Sequence, residues 1–456
     1  MNVIPFVHEG LGNSSYLVEL GEGTALLIDP DRSFDRYLAA ADARGWQIAS
    51  AFETHLHADF VSGSREAAAA GVRELYLPEG AAARFPHHPV KTGARLRLAG
   101  CEVEVIASAG HTPEHLSYVV HAPAGPPALF SGGSLMVGGA ARTDLIAPDQ
   151  TEPLTRAQYR TLQQAFAALP DDTLLYPTHG GGSFCSAGGG GERTSTLGRE
   201  RATNPLLAIP DEETFVRTFP VSFPAAPAYF FRLRAVNQAG PRLRREIIPP
   251  PPLTPDEFDT ARQLALVVDV RSKKAYAAGH IPGAVSNTFR DAYATWLGWL
   301  VPPETPLLFV TDGEPLRQVV DESLLVGYER FAGYLAGRLV AWEAAGLPVV
   351  SGVLVDADAA HGAVLGGALV LDIREPGEFA AGHIPEALHI PLGRLGQELD
   401  RLPRDRPILA YCGHGERAAT ALSLLERAGF AGPLLNLNNG LGAWQAAGFR
   451  SEGGVG

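Results

Sequence analysis

One phrase occurs twice. Asp269-Val270-Arg271, followed by Gly279-His280-Ile281-Pro282-Gly283-Ala284, returns as Asp372-Ile373-Arg374 followed by Gly382-His383-Ile384-Pro385-Glu386-Ala387, 103 positions on. Ala341-Trp342-Glu343-Ala344-Ala345-Gly346 returns in the same way as Ala443-Trp444-Gln445-Ala446-Ala447-Gly448, 102 positions on. A period this long means two copies of a whole small domain, not the stacked units of a solenoid. Each copy reads strand, helix, turn, apolar strand and helix, the pattern of a doubly wound α/β domain. Pro249-Pro250-Pro251-Pro252 stands ahead of both copies and favours an extended, semi-rigid spacer. The 456 residues, too many for one ordinary core, therefore divide into 1–248, 253–349 and 350–456.

The first segment alternates short apolar runs with Gly, Pro and Asp turns. Its strands are expected at Asn2 to Val7, Ser15 to Leu20, Thr24 to Asp29, Trp46 to Phe52, Leu96 to Leu98 and Cys101 to Ala107. Helices are expected over Phe34 to Ala43, Gly63 to Ala70 and Thr155 to Ala168. Three of its strand ends deliver histidine. Glu53-Thr54-His55-Leu56-His57-Ala58-Asp59-Phe60 follows one strand, Gly110-His111-Thr112-Pro113-Glu114-His115 a second, and Thr178-His179-Gly180 a third. At a strand end, positions i and i+2 project from one face, so His55 and His57 can both reach one ion. Asp59, His111 and His179 complete the set of candidate metal ligands.

In the last segment the strand Pro407 to Tyr411 ends in Cys412-Gly413-His414-Gly415-Glu416-Arg417, and helical sequence follows over Ala418 to Ala428. A thiol in a glycine-rich loop at a helix N-terminus sits where amides and the helix dipole stabilise thiolate and cradle anionic sulfur. Arg417 adds positive charge in the first turn. Alignment of Leu307 to Val310 with Ile408 to Tyr411 puts Thr311 at the place of Cys412, followed by Asp312-Gly313-Glu314. Thiolate chemistry is impossible in that copy, and its carboxylates would repel a sulfur anion.

Composition narrows the function classes. With 46% hydrophobic and 19% charged residues the chain is globular, and its net charge of −13 without a Lys/Arg cluster excludes nucleic acid as partner. No run of about 18 apolar residues suggests a membrane span, and no basic segment leads into an apolar one at the N-terminus. A cytoplasmic location is expected, and Cys101, Cys185 and Cys412 are expected as free thiols.

The histidine series, with Ala58-Asp59-Phe60-Val61-Ser62-Gly63-Ser64, His111-Thr112-Pro113-Glu114-His115 and His179-Gly180-Gly181-Gly182-Ser183, resembles the persulfide dioxygenase branch of the metallo-β-lactamase superfamily. The Cys412 loop, the Asp-x-Arg phrases and the Gly-His-Ile-Pro-x-Ala phrases resemble the rhodanese family. The whole is similar to bacterial fusions of the two. The resemblance implies an αββα sandwich followed by two α/β doubly wound rhodanese-like domains, the first of them non-catalytic. It implies one metal ion, Fe2+ favoured and zinc possible, with His55 and His111 among its ligands. It implies Cys412 and Arg417 as catalytic groups, with Gly413, His414, Gly415 and Glu416 forming the persulfide loop. Expected small-molecule partners are a low-molecular-weight thiol persulfide, thiosulfate or sulfite, and a homo-oligomer is expected.

One family feature is missing. The carboxylate that completes the two-histidine iron site should follow Phe130-Ser131-Gly132, where this chain has Gly133. Three arrangements compete: His57 joins His55 and His111; water, Asp59 or His179 fills the gap; or the domain binds without metal. Asp144, eleven positions on, is no obvious substitute. The expected function is oxidation of a thiol persulfide with O2 coupled to sulfur transfer through Cys412. The alternative is sulfur transfer alone, with the first domain used for binding or assembly. A two-zinc hydrolase is discounted because Phe60 and Gly133 remove two of its ligands.

Overall fold

The computed structural model describes residues 1–188 and 191–453; Gly189 and Gly190 of the glycine-dense run lie outside them. The chain divides into two compact units, Met1–Ile247 with Asp321–Gly327, and Ile248–Val320 with Tyr328–Gly456. The segment Asp321–Gly327, expected inside the middle domain, groups with the first unit, where the Val61 amide donates to the Leu325 carbonyl (2.7 Å).

The first unit holds two six-stranded sheets. One runs in the order Val3–His8, Asn13–Gly21, Thr24–Ile28, Gln47–Phe52, Glu74–Pro78, His88–Val90. The other runs Ser195–Thr196, Leu174–Pro177, Ala128–Gly132, Leu116–His121, Cys101–Ala107, Arg95–Leu98. Strand periodicity decides the layers. Tyr16, Val18 and Leu20 enter a core shared with Phe52, Val103, Val105, Tyr118 and Phe130, drawn from both sheets. Leu17 turns the other way, onto Phe34, Tyr37 and Ala41 at the helix Asp35–Asp42. Val119, Leu129 and Leu175 leave the second sheet's outer face to Leu162, Phe166 and Phe215. Strands apolar on both faces thus give helix, sheet, sheet, helix. A fully buried ring such as Phe52 contributes on the order of 3–5 kcal/mol against alanine.

Most expected elements of this unit stand within two residues of their places. The exception is the helix expected over Thr155 to Ala168: it runs Thr151–Arg160 and then widens into one π turn, Thr161–Ala165. Polar Thr151 and Glu152 in its first turn hide that start from a reading based on apolar spacing.

The second unit carries two five-stranded parallel sheets of the same order. The first is Pro252–Leu253, Phe331–Leu335, Leu307–Val310, Leu266–Asp269, Val285–Ser286; the second is Val353–Val355, Leu434–Leu437, Ile408–Tyr411, Leu369–Asp372, Leu388–His389. The last proline of the expected spacer already belongs to a strand, with Pro252 in register with Tyr334. An edge strand tolerates proline because it lacks a ladder partner on one side.

The repeated phrases are structural. Arg271 donates to both oxygens of Asp269 (2.9 and 2.6 Å) and to the Gly279 carbonyl (2.8 Å), and Arg374 does the same to Asp372 (3.0 and 2.6 Å) and Gly382 (2.6 Å). Both pairs are buried, so each charge depends on its partner and loss of one would cost about 3–5 kcal/mol.

Candidate functional sites

In the first unit the histidine loop is built on buried polar anchors. Asn237, in the helix Phe230–Ala239, donates to the carbonyls of His57 and Phe60 (both 2.9 Å) and accepts from the Ser62 amide (2.9 Å). Glu114 accepts from the Leu56 amide (3.2 Å) and is gripped by Arg234 (2.6 and 2.9 Å). The loop therefore stands fixed at the end of strand Gln47–Phe52.

The hydrogen bonds of three buried histidines determine where their ring protons sit. Thr54 donates its hydroxyl hydrogen to Asp29 (2.8 Å), so its oxygen can only accept from Nδ1–H of His55 (2.8 Å). His111 donates Nδ1–H to the Arg142 carbonyl (2.6 Å). Nδ1 of His179 faces the oxygens of Asn13 (3.1 Å) and Asp59 (3.2 Å). All three rings therefore present a bare Nε2, and one ring nitrogen of each lies within 4.8 Å of those of the other two. Nε2 of His111 is buried without a hydrogen-bond partner among the described residues, and those of His55 and His179 face each other at 3.3 Å. Two lone pairs so placed repel unless a cation lies between them.

Electrostatics agrees. Burial, reinforced by neighbouring histidines, lowers His55 well below its ordinary value and holds His111 down at about 3. Burial raises the Asp59 carboxyl, but His179 outweighs it and holds it down at about 2, an anion behind the His179 ring. Ligating histidines are tuned by such a partner on the second nitrogen. At the about 2.0–2.1 Å usual for a metal–imidazole bond, two rings on one ion bring their nitrogens near the spacing seen here. The residues present fit a single metal ion.

His57, expected as a possible third ligand beside His55 and His111, is engaged elsewhere. Its Nε2 meets Glu53 (2.9 Å) and Asp29 (3.3 Å), and its ring stacks on Phe60 at 4.2 Å. Burial lowers this histidine, but Asp29 and Glu53 outweigh it and raise it to about 10. An imidazolium paired with two carboxylates makes a poor ligand. Its Nδ1 has no hydrogen-bond partner among the described residues, and His57 also forms an overlapping group with Asp59 and His179 within the same 4.8 Å limit.

Gly133 stands at the centre. A Cβ there would lie 2.8 Å from Ala141 Cβ, 2.9 Å from His111 Cδ2 and 3.1 Å from His179 Cδ2. Its amide donates to Nε2 of His115 (3.0 Å), whose Nδ1 bonds Ser108 (2.9 Å). His115 thus positions the backbone of the loop and is no ligand in this arrangement. Asp144 is held by Arg142 through two bonds (2.7 and 2.8 Å). Sequence reasoning missed Asp29, Glu53 and Asn237. The first two could have been found as carboxylates at strand ends beside the motif; Asn237 gives no signal.

In the second unit Cys412 is 2% exposed, and the Gly415 amide donates to its Sγ at 3.0 Å. Gly415 adopts φ +104°, a conformation side chains resist, and precedes the helix Glu416–Arg427. Gly440 lets the Leu441 amide reach the Cys412 carbonyl (3.0 Å); a Cβ at Gly440 would strike that oxygen. Arg417 lies beside the loop, held by both oxygens of Glu378 (2.7 Å each). In the first copy the Asp312 amide donates to the Glu314 carboxylate (2.5 Å), so an anion of the chain itself occupies the loop. Cys101, Cys185 and Cys412 are all free and buried.

Comparison with known proteins agrees with this architecture. Residues 8–179 match the metallo-beta-lactamase superfamily, and residues 254–345 and 356–447 each match the rhodanese-like domain. A hydroxyacylglutathione hydrolase of Polaromonas sp. (strain JS666 / ATCC BAA-500) is 34% identical over 171 residues, which are 37% of this chain and 62% of that relative. The chain thus spans less than two thirds of that hydrolase. A sulfurtransferase of Allochromatium vinosum is 40% identical over 76 residues, 17% of this chain and 70% of the relative. The crystal structure of a metallo-beta-lactamase from Staphylococcus aureus subsp. aureus COL superposes with a TM-score of 0.66 at 29% identity, covering 74% of this chain and 98% of the other. The chain thus carries a metallo-beta-lactamase domain, residues 8–179, followed by two rhodanese-like domains.

Proposed function

We propose that the chain handles sulfane sulfur at two sites: one metal ion held by His55, His111 and His179, where a low-molecular-weight thiol persulfide is oxidised, and Cys412, which accepts sulfane sulfur and passes it on. The observation that carries the first half is the convergence of three Nε2 lone pairs whose tautomers are fixed from behind. Iron(II) is favoured and zinc is the second candidate. Bound there, the metal would supply positive charge for an anionic sulfur compound and, as iron, redox chemistry with O2. Three uncharged ligands leave that charge largely uncompensated, which favours a persulfide anion over a neutral ester. The chain's own part is to fix the rings through Thr54, Asp29, Asn13, Asp59 and the Arg142 carbonyl, and to keep the site buried. The balance is persulfide, O2 and one water giving thiol, sulfite and two protons, the sulfane sulfur being oxidised and O2 reduced.

At Cys412 the thiolate attacks the outer sulfur of thiosulfate. The old S–S bond breaks with its electron pair leaving on sulfite, and the new S–S bond is the cysteine persulfide. The Gly415 amide, 3.0 Å from Sγ, steadies the anion before and after transfer. The name of the hydrolase relatives makes glutathione the first thiol carrier to try.

The test takes the full chain, purified without added metal. Metal content, O2 uptake with glutathione persulfide, hydrolysis of a hydroxyacylglutathione, and thiosulfate-to-cyanide transfer are measured together. Bound iron with persulfide-dependent O2 uptake supports the reading. Thioester hydrolysis without O2 uptake overturns the oxidation, and absence of both metal and uptake leaves sulfur transfer as the only activity.

A further inference from the structure

The first rhodanese-like copy has lost its thiol, yet it reaches into the loop of the second. Lys273, at the start of the helix Lys273–Ala278, donates its ammonium to the carbonyl of His414 and pairs with Glu416 (3.1 Å). Only 10% of its side chain is exposed. A cation in the first turn of a helix is unfavourable to the helix dipole, so its own element does not account for it. Nor does the repeat: the matching position in the second copy is Pro376. A Cβ on Gly415 would come within 3.0 Å of Lys273 Nζ, so the glycine admits the ammonium as well as the loop's turn.

The carbonyl that Lys273 holds and the amide that meets Cys412 belong to one peptide unit. The C=O of His414 and the N–H of Gly415 point in opposite directions from the same bond. Lys273 takes the oxygen, and Sγ takes the hydrogen at 3.0 Å. A cation on the oxygen polarises the peptide and makes its N–H a stronger donor to anionic sulfur. The next peptide is fastened too, by Asn436 Nδ2 on the Gly415 carbonyl (3.0 Å). Arg290, also from the first copy, bears electrostatically on Glu416 and Cys412. The copies are tied beyond the loop by Glu426, which accepts from His280 (3.0 Å) and from the Gly283 amide (3.0 Å).

We infer that Lys273 of the thiol-less copy is a positioning residue for sulfur transfer at Cys412, aligning and polarising the His414–Gly415 peptide whose amide stabilises the thiolate and the persulfide. The inference rests on Cys412 being the sulfur acceptor. The copy without a nucleophile is thereby part of the other copy's transfer site, acting through the peptide without touching the substrate.

The test compares the wild-type full chain with Lys273→Met and Lys273→Arg at neutral pH. Two rates are read: kcat/KM for thiosulfate, and alkylation of Cys412 by iodoacetamide followed on its own peptide. Lys273→Met is expected to lower both by about tenfold, a fraction of the effect of removing an oxyanion donor outright, and Lys273→Arg to restore most of each. Wild-type rates in Lys273→Met, or equal losses in the Met and Arg variants, overturn the inference. If Lys273→Met does not fold, Lys273→Gln keeps a donor for the carbonyl and removes the charge. The same tenfold loss is expected there, and wild-type rates overturn the inference. No transfer by the wild type would instead overturn the assignment of Cys412, which keeps the two failures distinct.

Discussion

At the scale of single residues, proton placement separates the histidines that sequence alone leaves equivalent. His55, His111 and His179 each donate Nδ1–H to an oxygen and keep Nε2 bare, whereas Nε2 of His57 is committed to Glu53 and Asp29. His111→Ala should therefore lower the metal retained after dialysis against a chelator by at least about tenfold, the scale on which even outer partners of ligands act. His57→Gln should retain metal but destabilise the fold by about 3–5 kcal/mol, because two buried carboxylates lose their counter-ion. Metal analysis and urea unfolding of the two variants check this, and equal metal loss in both would put His57 among the ligands. Cys412→Ser belongs to the same scale. A hydroxyl at neutral pH does not accept sulfane sulfur, so thiosulfate transfer should vanish, and Cys101 and Cys185, whose thiols burial pushes up, do not substitute.

At the scale of elements, the turn Ser131–Ser134 shows why a missing ligand is not simply replaced. Gly132 carries the positive φ, +56°, while Gly133 does not; what constrains Gly133 is crowding by Ala141, His111 and His179. Gly133→Asp should displace the histidine rings, lowering stability by about 1–3 kcal/mol as overpacked cores do, and should not raise metal content. Iron gained with unchanged melting would show that the rings yield freely. The turn's sequence displayed the absent carboxylate but not its neighbours, which arrive from strand ends far apart in the chain. The strands themselves were legible, because period-two alternation and apolar parallel runs are local signals; Cys101–Ala107 and Leu307–Val310 lie where the sequence puts them. Illegible were contacts that depend on tertiary approach, such as Asn237 on the histidine loop and Lys273 on the loop of the other copy. Glu426 between the copies is another. Burial raises its carboxyl, but His280 and the Gly283 amide outweigh it and hold it below its ordinary range. A depressed carboxyl contributes stability above its unfolded value of about 4.3, lost as pH falls through the folded value. Glu426→Gln should cost about 1 kcal/mol at pH 7, since the pair is partly exposed. The difference from wild type should shrink as pH falls below about 4 in thermal melts, and a constant difference would remove Glu426 from the pH dependence.

At the scale of the whole molecule, the proposed function gives one chain two chemistries that draw on different resources. In that proposal the first unit would depend on an ion held by its histidines, and the second on a thiolate, a peptide amide and cations supplied by both rhodanese-like copies. Their chemistry nevertheless meets in one pool of compounds, since oxidation of a persulfide releases sulfite, and sulfite is both a product of sulfur transfer from thiosulfate and an acceptor in the reverse direction. Activities joined only through diffusible compounds should separate cleanly. Chelation of the full chain is expected to abolish persulfide-dependent O2 uptake and leave thiosulfate-to-cyanide transfer within about twofold, because no group at Cys412 needs the ion. Cys412→Ser is expected to do the reverse, keeping metal content and O2 uptake with glutathione persulfide supplied from outside. With thiosulfate and glutathione as the only sulfur source, however, the persulfide must first be made at Cys412, so O2 uptake should then require both sites. Steady O2 uptake by Cys412→Ser under those conditions would show that the second unit does not feed the first, and that the two were joined for some other reason.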